Sequence, residues 1–368
     1  MLNGSPFYAN GFNAYWLMYV ASDPSQRDKI TFAFQEAANY GLLIARAWAF
    51  GDGGYSPLQY SPGYYNEHMF LGLDFVISEA GRYGIKLILS LVNNYEDSGG
   101  KRQYVKWARD QGHDIVSDDE FFTNTVVKEY YKNHIKTVLT RQNNITGIAY
   151  KDDPTIMAWE LMNEPRCPTD PSATIIQAWI EEMASYLKSI DPQHLLEAGL
   201  EGFYRKPEEQ QNLNFKIGTD FITNNQIPDI DFATLHSYPD QWLNGQTDED
   251  QLSFLKDWLD KHIQDTQTIL QKPLLIAEFG KSSKDTEYTT KKRDELFSTV
   301  YTSIYSSARD GGVAAGALFW QLLTENMDSF RDGYEIVFTE SPSTARLIAE
   351  QCQKLNEIRK LHDKPKFL

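Results

Sequence analysis

Residues 155–167 read T-I-M-A-W-E-L-M-N-E-P-R-C. The run from Ile156 to Met162 is rich in large apolar residues and short enough to be a buried strand. Pro165 removes a backbone donor and keeps Glu164 out of the right-handed helical region, so the strand stops there. A carboxylate is thereby set at the carboxyl end of a buried strand, where parallel α/β folds keep their chemistry. Residues 273–280, P-L-L-I-A-E-F-G, repeat the design and deliver Glu278. Between the two glutamates lie two further strand patterns with helical patterns after them, which fits a repeating βα architecture.

Outward from that stretch the alternation holds along the chain. Strands are expected at 8–15, 42–50, 86–93, 155–164, 195–200, 232–238, 273–278 and 314–321. The helices between them are expected to end at Gly41 and to span 67–83, 121–141, 175–190, 248–271 and 285–310, with a short turn at 220–225 and a closing helix at 343–361. Ser22-Asp23-Pro24 reads as a cap with an N1 proline, and Ser117 with Glu120 as a capping box for the third helix. Eight strands and eight helical connections predict one (β/α)8 TIM barrel occupying residues 1–368 as a single catalytic domain. Such a barrel usually needs about 250 residues. The excess is expected at 94–118, 239–247 and 322–342, as extended loops walling a cleft on the catalytic face. A doubly wound sheet fits less well, because no glycine-rich phosphate turn follows the first strand.

Composition narrows the function classes. With 368 residues, 41% hydrophobic, the chain can bury a large core, and no Pro/Gly/Ser-rich linker divides it. A formal net charge of −16 disfavours nucleic acid or an anionic membrane as a partner. No apolar run approaches the roughly 20 residues of a bilayer span. The chain opens without a signal peptide, so it reads either as cytosolic or as a mature form whose targeting segment is gone, and two sequons, Asn3-Gly4-Ser5 and Asn144-Ile145-Thr146, lean toward the secreted form. Two cysteines, Cys167 and Cys352, cannot define a disulfide framework. Seven histidines show no H-E-x-x-H or paired spacing, so no metal and no cofactor are expected.

The polar and aromatic residues at predicted strand ends are Arg46, Trp48, Asn163, Glu164, His236, Tyr238, Glu278 and Trp320. Two convergent carboxylates with aromatic platforms, and without thiols or phosphate loops, are what glycosidic bond cleavage requires. One carboxyl must carry a proton for the leaving oxygen while the other stays ionised. Glu160 lies before the strand end and reads as a structural partner for a buried cation. Arg46 could equally be a core ion pair, and a lone His236 a satisfied core residue. His236 nevertheless shares a strand face with Tyr238, two residues on. Trp107, Trp242 and Trp258 read as structural.

With W-E-L-M-N-E-P-R-C joined by R-A-W, H-S-Y and A-E-F-G in that order, the chain resembles the retaining glycoside hydrolases of clan A, family 5, and among them the plant endo-β-1,4-mannanases. The resemblance implies Glu164 as acid/base, Glu278 as nucleophile, and Asn163 on the sugar 2-hydroxyl. It places Arg46, His236 and Tyr238 around the nucleophile, Trp320 under the sugar at the cleavage point, and Arg166 toward the leaving-group side. The implied activity is cleavage of internal bonds in mannan, glucomannan and galactomannan by a secreted, cell-wall-acting monomer, with transglycosylation as a side activity. A family 5 cellulase or β-glucanase is the alternative within the class. A catalytically silent wall-polysaccharide binder is the alternative outside it.

Overall fold

Eight parallel strands make one sheet in the computed structural model, which describes residues 6–205 and 217–362. They are β1 (Gly11–Asn13), β2 (Ile44–Trp48), β3 (Lys86–Ser90), β4 (Ile156–Glu160), β5 (Leu195–Glu197), β6 (Ala233–Ser237), β7 (Leu274–Phe279) and β8 (Ala314–Phe319). The spatial order is β5-β4-β3-β2-β1-β8-β7-β6. The seam between β5 and β6 carries no continuous ladder. It is stitched by Asp231 N donating to Leu196 O (2.8 Å), His236 N to Glu201 O (2.9 Å) and Thr234 Oγ1 to Glu197 Oε2 (3.1 Å). The barrel is thus nearly closed.

Helices follow the strands: α1 (Arg27–Asn39), α2 (Glu67–Arg82), α3 (Thr125–Thr140), α4 (Thr174–Ile190), α5 (Phe221–Asn225), α6 (Asp248–Asp265), α7 (Thr290–Arg309) and α8 (Pro342–His362). The larger core lies between strands and helices. A smaller one plugs the barrel from inside, with Ala9, Ile44, Ile88, Ala158, Phe232, Leu275 and Leu318 in contact. On the closing helix Ile348, Cys352, Leu355 and Ile358 form one buried stripe. Each large aliphatic buried there contributes roughly 1.5–3 kcal/mol.

Local differences from the sequence reading have local causes. Asp23 caps a 3-10 turn, Pro24–Gln26, ahead of α1, and a short helix Leu17–Ser22 precedes it. The Ser117–Glu120 capping box forms, but on the 3-10 helix Asp118–Phe122; Asn124 then caps α3 through Val126 N and Val127 N. The loop expected at 94–118 contains a helix, Gly100–Asp110, with no side-chain cap of its own residues. A further excursion follows β2, where the hairpin Gln59–Ser61 and Tyr64–Tyr65 lies on the catalytic face. Helix α7 starts at Thr290, capped by Thr289, rather than at 285.

One irregularity matters for the chemistry. Between β6 and β7 the register shifts, pairing Leu235 with Ile276 but His236 with Glu278. Strict alternation from the inward Leu275 would point Ala277 and Phe279 into the barrel. The shift moves the phase by one residue, so Phe279 packs outward on Phe297 and Tyr301 and Glu278 turns inward.

Candidate active site

Arg46 is the centre of the barrel's upper interior and is fully buried. Its Nε donates to Glu160 Oε2 (2.6 Å) and its Nη2 to Glu160 Oε1 (2.7 Å) and Asn163 Oδ1 (2.6 Å). Its Nη1 donates to Glu278 Oε1 (2.5 Å) and Asn13 Oδ1 (2.9 Å). Both readings of Arg46 therefore hold at once: it is a core ion pair with Glu160 and a direct partner of Glu278. The bidentate fork satisfies the one carboxylate and leaves a donor for the other.

Glu278 is held on its second oxygen by the Tyr238 hydroxyl (2.7 Å). His236 Nδ1 lies 2.6 Å from Glu164 Oε1 and 3.6 Å from Glu278 Oε2. One oxygen of Glu164, one of Glu278 and a ring nitrogen of His236 all lie within 4.8 Å of one another. Glu164 sits in the left-handed backbone region at φ 52°, a costly conformation for a non-glycine residue that is anchored here by its N–H donating to Gly199 O (3.0 Å). Asn163 donates from Nδ2 to Asn93 Oδ1 (3.0 Å), so its amide is fixed from both ends.

Burial pushes Glu278 upward, His236 and Arg46 pull against it, and its pKa ends above the ordinary value. Burial also pushes Glu164 upward, but the His236 hydrogen bond and charge, with Arg166 and Tyr95, override it and leave it low. His236 is lowered by burial and raised more by Glu278 and Glu164, ending above its usual value. In the free cleft, proton affinity is thus distributed over Glu278 and His236. Glu164, Glu278 and His236 have donor types that could ligate a cation, but Arg46 and Tyr238 already occupy both Glu278 oxygens and His236 faces Glu164 through Nδ1.

Trp320 is half-buried, stacked on Tyr15 (centroids 5.8 Å, planes 7° apart), with its Nε1 donating to Asp332 Oδ2 (2.6 Å). Trp48 is 6% exposed, its ring taken up by Arg46, Phe50, Tyr15 and Trp320. It backs the Trp320 ring and has little face of its own to offer. Arg166 donates to both Glu201 oxygens, at 2.7 Å from Nε to Oε2, and lies over the Tyr95 ring. Of the tryptophans read as structural, Trp258 donates to His236 O (3.1 Å) and supports the end of β6. Both cysteines are buried and free.

A family model described as "GH family 5 beta-mannosidase-like" matches residues 1–324. The chain belongs to glycoside hydrolase family 5. Its similar relatives include "Mannan endo-1,4-beta-mannosidase 7" of Arabidopsis thaliana, 61% identical over 98% of this chain and 84% of that one. "Mannan endo-1,4-beta-mannosidase 1" of Oryza sativa subsp. japonica is 62% identical over 98% of this chain and 85% of its own. Among solved structures, an endo-β-1,4-mannanase from Thermotoga petrophila aligns with a TM-score of 0.83 at 32% identity, covering 97% of this chain and 78% of that chain. One from Rhizomucor miehei aligns at 0.80 and 30% identity, covering 97% of each.

This family 5 site also contains residues the sequence reading passed over. Tyr95, on the loop after β3 beneath the Arg166 guanidinium, helps to hold Glu164 low. Glu201, 3% exposed, is raised to about 7 by burial first and by Glu164 second, with Arg166 opposing. Its signal was available: L-E-G just past β5 is a third strand-end carboxylate, one residue beyond the expected strand. Glu197, fully buried on β5, had no such signal.

Proposed function

We propose that this chain is an endo-β-1,4-mannanase that cleaves internal β-1,4-mannosidic bonds by double displacement, with Glu278 as nucleophile and Glu164 as acid/base. The observation that carries the mechanism is the separation of the two carboxylates, whose nearest oxygens lie within 4.8 Å. Retaining glycosidases hold their carboxyl groups about 5–5.5 Å apart, inverting ones about 6.5–9.5 Å to admit a water. The names of the relatives supply the sugar.

Arg46 and Tyr238 aim one donor at each Glu278 oxygen, which favours the ionised form in an orientation ready for attack. Positive charge developing at the anomeric carbon favours that form further, and the proton shared in the cluster is then needed on Glu164. His236 Nδ1 holds one 2.6 Å from Glu164 Oε1, a single hydrogen bond away. As the glycosidic bond breaks, Glu164 protonates the leaving oxygen and Glu278 forms an ester with the sugar. Esterification removes the charge of Glu278, so Glu164 is free to stay ionised and draw a proton from the incoming water. A sugar hydroxyl in place of that water gives transglycosylation. Asn163, fixed by Arg46 and Asn93, keeps one amide hydrogen for the sugar 2-hydroxyl. Trp320 supplies the platform under the ring, and Arg166 lines the leaving-group side.

We read residues 1–368 as one catalytic domain acting as a secreted monomer at the cell wall, with no cofactor. Among the described residues no helix is long and apolar enough to cross a membrane. Asn144 lies in an exposed turn before β4, on the face opposite the cleft, and is the glycan acceptor in this reading. Asn3 is outside the described residues. Reducing ends released from galactomannan, glucomannan and carboxymethylcellulose, compared side by side, test the proposal. Release from the mannans with carboxymethylcellulose inert is expected; preference for the cellulose derivative would make the chain a cellulase, and no release from any would make it a binder.

A further inference from the structure

The interior layer that holds Arg46 contains more carboxylate than one guanidinium can neutralise. Glu160 on β4, Glu197 on β5 and Glu278 on β7 all face Arg46 on β2, and Glu160 and Glu197 are fully buried. Glu160 and Glu197 are register partners across adjacent parallel strands. Three buried negative charges around one positive charge would leave two uncompensated, a state that burial converts into protonation.

The hydrogen bonds identify where the proton sits. Both Glu160 oxygens accept from Arg46, as a carboxylate should. Glu197 Oε2 accepts from Gly199 N and from Thr234 Oγ1 (3.1 Å), as a carbonyl-type oxygen should. Gly199 reaches it because the chain turns there at φ 84°, where an added Cβ would collide with Met162 O. Glu197 Oε1 is buried and accepts no hydrogen bond. With Oε2 taken by two donors, Oε1 is the oxygen left without a partner beside Glu160 on the neighbouring strand, and it is where a proton can be placed.

We propose that Glu197 is a permanently protonated positioning residue that donates a hydrogen bond to Glu160 and so holds Arg46 in register against the Glu278 carboxylate. The groups facing it are Arg46 from β2, Glu160 from β4, the Gly199 N–H beyond β5, Thr234 from β6 and, across Arg46, Glu278 from β7; Ser90 of β3 meets Glu160. Burial, then Glu160, raises the Glu197 pKa well above the carboxylate range, and Arg46 with the Gly199 N–H opposes without overcoming them. Without the Glu197 proton, Glu160 would repel Glu197 and the guanidinium would lose the anchor that fixes its third donor. The positioning role rests on the reading of Glu278 as nucleophile; the protonation does not.

Infrared difference spectra of wild type minus Glu197→Gln isolate the one carboxyl group. A protonated-acid carbonyl stretch is expected in the wild type at every pH from 5 to 8, and its absence at pH 7 or its loss with an ordinary carboxylate titration overturns the proposal, whatever Glu278 does. In kinetics on a manno-oligosaccharide, Glu197→Ala is expected to lower kcat about 10²-fold with KM unchanged, the cost of a small misplacement at the reacting centre. Glu197→Gln, which keeps a donor toward Glu160 and an acceptor toward Gly199, is expected to restore most of that loss. A Gln variant as impaired as the Ala variant, or an Ala variant with unaltered kcat, contradicts the positioning role. If the Ala variant does not fold, the spectra and the Gln variant decide.

Discussion

The lower and upper halves of the barrel interior are one pleat step apart and follow different rules. Ile44, Ile88 and Ala158 fill the lower half with Leu275 and Leu318, and two residues further along the same three strands, Arg46, Ser90 and Glu160 form the upper half. That step is only about 7 Å. Below, any apolar set of the right volume and rotamers can fill the space. Above, each charge is set by one partner, and replacing a partner leaves a buried group unmatched. The contrast separates what keeps the barrel folded from what holds Glu278 ready, although both depend on the same strands.

The largest expected effect lies in the upper half. Glu278→Ala should abolish turnover of every substrate while the protein remains folded. Glu164→Ala should retain the first step for aryl mannosides whose leaving group needs no protonation, and azide should rescue the two variants with opposite product anomers. Identical responses of the two to leaving-group acidity would remove the division of roles. Next, Arg46→Met should cost about 3–5 kcal/mol in urea unfolding, because Glu160 and Glu278 lose their buried counter-charge, and should also eliminate activity. A stable, active Arg46→Met would erase the distinction between the halves.

In the lower half, Ile88→Ala should cost about 2–5 kcal/mol by opening a cavity in a fully buried position. Its kcat below the new melting temperature should stay close to wild type. A selective loss of kcat would show that the plug also positions the site. The smallest effect sits at the rim. Glu201 releases its proton near pH 4.5 when unfolded and near about 7 when folded. Between those values the unfolded state binds fewer protons, so stability falls as pH rises. Glu201→Gln should flatten that fall, read as urea midpoints at pH 5 and pH 8; an unchanged slope would mean that another group titrates there.

What was legible in the sequence follows the same division. Strands β4 and β7 could be read because an apolar run, a terminal glutamate and, for Glu164, a following proline all lie within a dozen residues. The inward turn of Glu278 could not, since it depends on a register shift against β6 that no periodicity in 273–280 records. The helix Gly100–Asp110 was hidden for a related reason. It begins at Gly99-Gly100, both at positive φ, where Asp52 N donates to Ser98 O (2.8 Å) and an added Cβ on Gly99 would collide with the backbone oxygen of Asp52, a residue from the β2 loop nearly 50 positions away. Glu197 acquires its meaning only beside Glu160 on the neighbouring strand. Arg46 was readable as a site residue, but not as the shared partner of two carboxylates from β4 and β7.

The central claim is that Glu278 forms a covalent bond to the sugar with Glu164 too near to admit a water between them. Proton NMR of the first hydrolysis products from a manno-oligosaccharide, recorded before mutarotation equilibrates them, tests it directly. The β-anomer appearing first is the predicted result; the α-anomer appearing first would contradict double displacement.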